Sequence, residues 1–154
     1  MYNPNQNRQS DREVSEFADK VVQIKRVSKK TKGGNQVSFT ALVVTGDKKS
    51  RVGVGLGRAK NVSDAIQKAI SRARKAMITI PQINGTIASA QKIKFKGAQI
   101  FLRPGKEGSG IIAGGPVRSV VELSGIKDLV SKIIGSKNKS VNVWATFKAL
   151  SNLK

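Results

Sequence analysis

The order of apolar and polar residues divides the first half of the chain into three predicted strands and one helix. The strands show an alternation of period two. Their apolar members are Val21, Val22, Ile24 and Val27; Phe39, Ala41 and Val43; and Val52, Val54 and Leu56. A helix is predicted from about Ser63, an N-cap followed by Asp64 in the first turn, to a stop near Pro81. Its buried stripe comprises Ala65, Ile66, Ala69, Ile70, Ala73 and Met77.

The second half begins after a boundary at residues 81–85, which read Pro-Gln-Ile-Asn-Gly. The order predicted there is strand, strand, helix, strand, helix. The predicted elements are strands over 91–96 and 98–103, a helix over 117–123 closed by Gly125, a strand over 129–134 and a last helix capped by Asn142. The fold class is therefore α+β. We predict a disordered tail over 1–16, one domain over 17–81 and a second over 82–154.

The charge of the chain is strongly positive and unevenly placed. Lys and Arg number 29 against 9 Asp and Glu, which gives a net charge of +20 over 154 residues. Residues 1–19 hold two bases and four acids, whereas residues 20–154 hold 27 bases and five acids. A surface so charged repels itself, and a polyanion relieves that repulsion. Nucleic acid is the leading candidate partner because phosphate neutralisation releases condensed counterions.

Composition excludes several classes of function. The chain has no Cys and no His, so zinc sites and His-based hydrolytic triads are not expected, and no cofactor or metal is predicted. No run approaches the roughly 20 apolar residues of a membrane span, and no apolar signal core is found, so a cytoplasmic location is expected. Aromatic residues make up only 5%, which favours recognition of RNA backbone and shape over base stacking.

Two segments of the first half could meet phosphate. Residues 28–35 are predicted to form a basic turn that contains two glycines. Residues 25–35 hold five cations without an acid, which predicts a phosphate-binding finger more readily than a merely solvated face. In the third strand, Gly53, Gly55 and Gly57 leave one face bare. That face either packs closely on another backbone or admits a phosphate backbone, and the flanking Arg51, Arg58 and Lys60 favour the second possibility. The G-x-G-x-G spacing and the lack of a following acid disfavour a nucleotide-dependent enzyme.

The glycine-rich residues 105–115 allow three interpretations. They could cradle phosphate at the start of the following helix, form a flexible connector, or serve as a contact loop for RNA or a protein neighbour. The segment lacks the G-K-[ST] ending of a nucleotide-binding loop, so triphosphate hydrolysis is not expected. The five acids of residues 20–154 are scattered, and no pair has a spacing that suggests acid–base catalysis.

Both halves of the sequence resemble one known family. The strings that carry the resemblance are Arg26-Val27-Ser28-Lys29, Lys32-Gly33-Gly34, Phe39-Thr40-Ala41-Leu42, Gly46-Asp47, residues 51–57, residues 65–69 and residues 107–115. Over about residues 17–150 they are similar, in order, to the bacterial small-subunit ribosomal protein five family. The resemblance implies a first domain related to double-stranded-RNA-binding modules and a second ββαβα domain with a left-handed βαβ crossover. It also implies a structural protein and not an enzyme.

The resemblance further implies partners and site residues. The expected partners are 16S rRNA, mRNA where it enters the small subunit, and ribosomal proteins four and eight, with roles in subunit assembly and decoding accuracy. The expected rRNA-binding residues are Arg26, Lys29, Lys30, Lys32, Gly33, Gly34, Arg51, Gly53, Gly55, Gly57, Arg58 and Lys60. Ser28, Lys29, Lys32, Gly33 and Gly34 match a loop where spectinomycin resistance changes map. Arg26 matches the position facing mRNA. The expected protein interface comprises Gly108, Gly110, Gly114, Gly115 and Arg118. A free double-stranded-RNA-binding regulator is the alternative.

Overall fold

The first half of the chain forms a twisted antiparallel sheet with a helix on one face. The computed structural model describes residues 16–153, so the tail predicted for 1–16 falls, apart from Glu16, outside the described residues. The elements are β1 (Ala18–Thr31), β2 (Gly34–Gly46), β3 (Arg51–Ala59), α1 (Val62–Lys75) and β4 (Ile78–Thr79). The strand order is β1-β2-β3-β4. Three strands and the helix confirm the prediction, and the two-residue β4 adds an edge that the sequence pattern did not indicate.

The second half forms another four-stranded sheet. Its elements are β5 (Gln91–Phe95), β6 (Ala98–Pro104), β7 (Ile111–Ile112), α2 (Gly115–Ser124), β8 (Leu129–Gly135) and α3 (Lys139–Ser151). The strand order is β5-β6-β8-β7, with β7 parallel to β8 and the other pairs antiparallel. Strand β7, helix α2 and strand β8 therefore form the βαβ unit. The α+β fold class is confirmed. No helix among residues 16–153 has the length and apolar content that crossing a bilayer requires.

Helix ends agree with the sequence prediction at one position and differ at three. Helix α1 ends at Lys75 and not near Pro81, since Ala76 is its C-cap and the chain continues into β4. Gly125 closes α2 at φ 83°, a left-handed conformation that glycine adopts without steric cost. The N-cap of α1 is Asn61 and not Ser63, because the helix begins at Val62. The N-cap of α3 is Asn138, whose side chain accepts a hydrogen bond from the Ser140 amide at 3.1 Å. Asn142, the predicted cap, is instead buried inside α3.

Strand β2 has a packed partner on each of its faces. Ala41 and Val43 pack against Ala65 and Ala69 of α1. Leu42 and Val44 point the other way, as alternation along a strand requires, and join a core that continues into the second half. The members of that second-half core are Ile100, Leu102, Val117, Val120, Val121, Leu129, Val143 and Leu150, among others. The first sheet is therefore a layer between α1 and the second half.

The β2–β3 turn fastens the two halves together. The backbone amide of Lys48 donates to the carbonyl oxygen of Leu123 at 3.0 Å, so the turn lies on the C-terminal end of α2. Gly46 makes this approach possible, since a Cβ atom there would lie 2.1 Å from the same carbonyl oxygen. An exposed ion pair between Lys20 and Glu122, at 2.8 Å, adds a second link and lowers the pKa of the Glu122 carboxyl.

Candidate nucleic-acid interface

The β1–β2 hairpin projects from the sheet as an exposed arm. Every residue from 24 to 36, which we call the hairpin arm, is exposed, and this includes side chains on both faces. The strands continue to Thr31 and resume at Gly34, so the turn itself is only Lys32 and Gly33. The longer basic turn predicted over residues 28–35 is therefore wrong. Its residues form an extended ladder because pairing satisfies their backbone groups without any buried side chain.

The hairpin arm carries its cations in several directions. Lys29 pairs with Gln36 and Lys30 with Asn35, so these two neighbouring lysines lie on opposite faces of the ribbon. Lys32 occupies the turn. At the tip, the Thr31 hydroxyl donates to the Gly34 carbonyl at 2.8 Å, and Gly34 has a φ of 123° that other residues rarely adopt. The tip therefore needs glycine at 34, and it presents positive charge on both faces.

Two further cations, Arg58 and Lys60, extend this surface beside Lys25 and Arg26 at the base of the hairpin arm. Arg58 of β3 and Lys25 of β1 both pair with Thr40, so they share one face of the sheet. The Arg58 Nε donates to the Ser38 hydroxyl at 2.9 Å, which orients the guanidinium toward the arm. Arg26 pairs with Phe39 on the opposite face. Lys60, just after β3, is exposed. Together with the arm these residues form a continuous basic surface.

Arg51 does not lie with the other predicted site residues. It begins β3, whereas Arg58 is near the end of the same strand, so the two are about 23 Å apart at the usual rise per residue. Its Nε donates to the Asp47 carboxylate at 2.9 Å, and its guanidinium lies 5.1 Å from the centre of the Phe17 ring. Arg51 therefore organises the β2–β3 turn and is not part of the hairpin-arm surface.

Asp47 is the acceptor that holds the β2–β3 turn together. Its Oδ1 accepts hydrogen bonds from the backbone amides of Lys49, Ser50 and Arg51 at 2.9, 3.0 and 2.9 Å. Burial acts to raise the pKa of the Asp47 carboxyl. The hydrogen bonds from Ser50, Arg51 and Lys49 outweigh it and hold that pKa well below its usual range. An aspartate that begins a turn is a recognisable sequence signal, although sequence analysis assigned it no role.

The glycine row of β3 faces the helix and not solvent. Gly53, Gly55 and Gly57 are buried, and a Cβ atom at each would lie 2.1, 2.0 and 2.1 Å from a carbonyl oxygen of α1. The prediction that this bare face admits a phosphate backbone is therefore wrong. The alternative interpretation, close packing of two backbones, is correct. The flanking cations are not evidence for a phosphate site on this face, because Arg51 and Arg58 lie at opposite ends of the strand.

The glycine-rich segment is anchored by a buried aspartate. The Asp128 Oδ1 accepts the Gly110 amide at 2.7 Å, and the Asp128 carbonyl accepts the Thr86 hydroxyl at 2.6 Å. Asp128 itself is only 7% exposed. Gly108 and Gly110 have φ values of 79° and 70°, so both occupy the left-handed region. The segment is therefore a held loop and not a flexible connector. Nothing in the sequence pattern marked Asp128, because its partners lie 18 and 42 residues away.

A cleft of about 450 Å³ lies against this loop. Its lining residues are Asn84, Gly85, Glu107, Gly108, Gly110, Lys127 and Asp128. Two carboxylates against one ammonium make the cleft a poor phosphate site. The remaining predicted interface residues belong to α2: Gly114 is its N-cap, Gly115 its first residue, and the Arg118 amide donates to the Gly114 carbonyl at 2.8 Å. Gly108, Gly110 and Arg118 are accessible for a protein contact, as Gly110 is half-buried and the other two exposed.

Comparison with known proteins decides the family. The family model described as ribosomal protein S5, N-terminal domain, matches residues 17–81. The model described as ribosomal protein S5, C-terminal domain, matches residues 93–154. The chain belongs to the ribosomal protein S5 family. The two matched segments correspond to the two sheets, and the family assignment confirms the resemblance found in the sequence.

Individual relatives in the S5 family are similar in sequence to this chain over nearly its whole length. A protein of Treponema denticola named small ribosomal subunit protein uS5 is 49% identical over 138 residues, which cover 90% of this chain and 80% of that protein. The protein of the same name from Campylobacter jejuni is 48% identical over 139 residues, which cover 90% of this chain and 95% of that protein. The protein of that name from Chloroflexus aurantiacus is 48% identical over 141 residues, which cover 92% of this chain and 79% of that protein.

Proposed function

We propose that this S5-family chain is a structural component of the small ribosomal subunit, located in the cytoplasm, and that it acts by binding rRNA. Support comes from the family assignment and from the names of the relatives. The physical basis is the net charge of +20, because a chain this basic binds a polyanion with release of the counterions condensed on its phosphates. Its function is that of a structural protein and not of an enzyme.

The hairpin arm is the proposed contact with 16S rRNA. The observation that carries this proposal is the exposure of all residues from 24 to 36, which include five cations and no acid. An arm with no buried side chain gains little stability from its own packing, so its length is best explained by a partner. Lys29, Lys30 and Lys32 at the outer part hold phosphates. A Cβ atom added at Gly33 would meet no atom within 4 Å, so the space beside this backbone is open to close approach.

The base of the hairpin arm and the glycine-rich loop have separate proposed roles. Arg26, on the side of the sheet that faces α1, is the position we assign to incoming mRNA. The loop around Gly108 and Gly110, with Arg118 of α2, is the proposed boundary with ribosomal protein four, and ribosomal protein eight is the second proposed neighbour. A loop fixed by Asp128 suits a protein contact because it is already ordered before binding.

Sedimentation of cell lysate tests the proposed function. The full chain, carrying an affinity tag, is expressed in cells, and the lysate is fractionated on a density gradient. We expect the chain in small subunits and in whole ribosomes. A chain that remains at the top of the gradient would overturn the proposal and would favour a free double-stranded-RNA-binding regulator. A matched chain with Ala at Lys29, Lys30 and Lys32 should be displaced from the particles at a lower salt concentration.

A further inference from the structure

The second sheet has one packed face and one open face. Helices α2 and α3 cover the face that carries Ala98, Ile100 and Leu102, all of which are completely buried. The opposite face has no covering element among residues 16–153. Its side chains form three cross-strand rows, which are Lys94–Gln99–Ile134, Lys92–Phe101–Lys132 and Arg103–Val130–Ile112. We call these nine residues the open sheet face.

The open sheet face combines cations with exposed apolar groups. Four of its nine residues are Lys or Arg, and none is acidic. Its large apolar side chains are unusually accessible, with Phe101 at 37%, Ile134 at 48% and Ile112 at 57% exposure. Phe101 occupies the central row, directly between Lys92 and Lys132. The Cβ atoms of residues paired across neighbouring strands are about 5 Å apart, so Lys92 and Lys132 are immediate neighbours of Phe101 on this face.

We propose that the open sheet face is a second RNA-contacting surface, on which Phe101 stacks against an unpaired base while the surrounding cations hold the adjacent phosphates. Lysine is depleted at the centres of protein–protein interfaces, whereas interfaces with nucleic acid are strongly positive. Here lysines flank the central aromatic residue on both sides. An unpaired base offers the ring a planar apolar partner, and its backbone offers the cations their counterions. A single RNA segment therefore provides partners for both the apolar and the cationic side chains of this face.

The geometry of a sheet suits this ligand. Aromatic side chains on the open face of a four-stranded sheet stack two or three bases in the commonest single-stranded RNA-binding module, although that module has a different topology. Here one ring lies at the centre, so one stacked base is expected. The inference deepens the proposed function, on which it rests, by placing rRNA contacts on the second half as well as on the hairpin arm. It also qualifies the expectation, based on low aromatic content, that recognition of RNA backbone and shape is favoured over base stacking.

Ultraviolet cross-linking in assembled particles tests the contact directly. Zero-length cross-links form between an aromatic side chain and a base stacked on it. Trypsin cleaves after Lys96 and Lys106 but not between Arg103 and Pro104, so Phe101 lies in a peptide of residues 97–106 that can be followed by mass spectrometry. We expect this peptide to carry a nucleotide in irradiated small subunits. A nucleotide-free peptide, with Lys92 or Lys132 cross-linked chemically to another ribosomal protein, would overturn the proposal and show that a protein covers this face.

Variants of the full chain separate stacking from charge. Phe101→Leu keeps an apolar side chain and should weaken binding to purified small-subunit rRNA about tenfold, while Phe101→Tyr keeps the ring and should bind as wild type does. Circular dichroism checks that each variant is folded. Equal affinity for all three chains would overturn the proposal. If only the hairpin-arm variant loses affinity, the proposed function survives and this surface does not; if the wild-type chain fails to bind rRNA, both are overturned.

Discussion

Gly55 of β3 lies directly beneath Ala69 of α1, so close that a Cβ atom at position 55 would be 2.0 Å from the Ala69 carbonyl oxygen. The same contact recurs one helical turn away on each side, where Gly53 faces Ala73 and Gly57 faces Ala65. Small residues on both elements thus let a helix backbone rest on a strand backbone. This contact fixes the position of β3, which in turn supports Arg58 at the base of the hairpin arm.

Replacing Gly55 by Ala should destabilise the fold strongly. The added methyl group meets backbone atoms, which cannot rotate away as a side chain can, so the helix must shift. We expect the free energy of unfolding to fall by about 3 kcal/mol and the Tm by about 6–12 °C. Urea and thermal unfolding followed by circular dichroism measure both quantities. Gly115→Ala is the matched control, since no atom lies within 4 Å of its added Cβ, and a loss of equal size there would contradict the account.

The sequence predicted which glycines share a face of β3 but not what covers that face. Alternation defines faces from local order alone, whereas the covering element is set by tertiary packing. Likewise, residues 28–35 of the hairpin arm were predicted as a turn because they are polar on both sides, and a strand without a buried face leaves no alternation to detect. Ala65, Ala69 and Ala73 are buried in α1 and Gly125 ends α2, as predicted, since helical spacing and a left-handed glycine are local signals. Met77, the last residue of the predicted stripe, lies beyond the end of α1 at Lys75.

Asp47 should make the stability of the protein depend on pH in the acid range. Its pKa is lower in the folded state than in the unfolded chain, so its contribution is complete above pH about 4 and is lost as the pH falls below that value. We expect Asp47→Ala to cost about 1–3 kcal/mol at pH 6. The difference from wild type should shrink steadily on acidification. Urea unfolding at a series of pH values measures this.

Asp47→Asn provides the control for charge in that series. The amide oxygen can still accept the backbone hydrogen bonds of the turn, but it does not titrate in this range. This variant should therefore lie between wild type and Asp47→Ala at pH 6. A constant difference between wild type and Asp47→Ala at all pH values would contradict the role assigned to the carboxylate.

Asp128 should control the order of the glycine-rich loop. Removing its carboxylate in Asp128→Ala leaves the Gly110 amide without its acceptor, and we expect a loss of about 1–3 kcal/mol in stability. Hydrogen exchange at the Gly110 amide should become much faster, while exchange within β2 and β3 should change far less. Asp128→Asn retains an acceptor oxygen and should slow that exchange again. Unchanged exchange at Gly110 in Asp128→Ala would show that the loop is held in another way.

The salt dependence of rRNA binding tests the central claim most directly. Each phosphate contact contributes about 0.9 to the slope of log K against log salt for a duplex and about 0.7 for a single strand. Replacing Lys29, Lys30 and Lys32 together by Ala should therefore reduce the slope by about 2–3. The control removes three exposed lysines that lie outside both proposed RNA surfaces, namely Lys75, Lys106 and Lys127. The account predicts that only the hairpin-arm variant loses slope; an equal slope in the hairpin-arm variant and in wild type would contradict it.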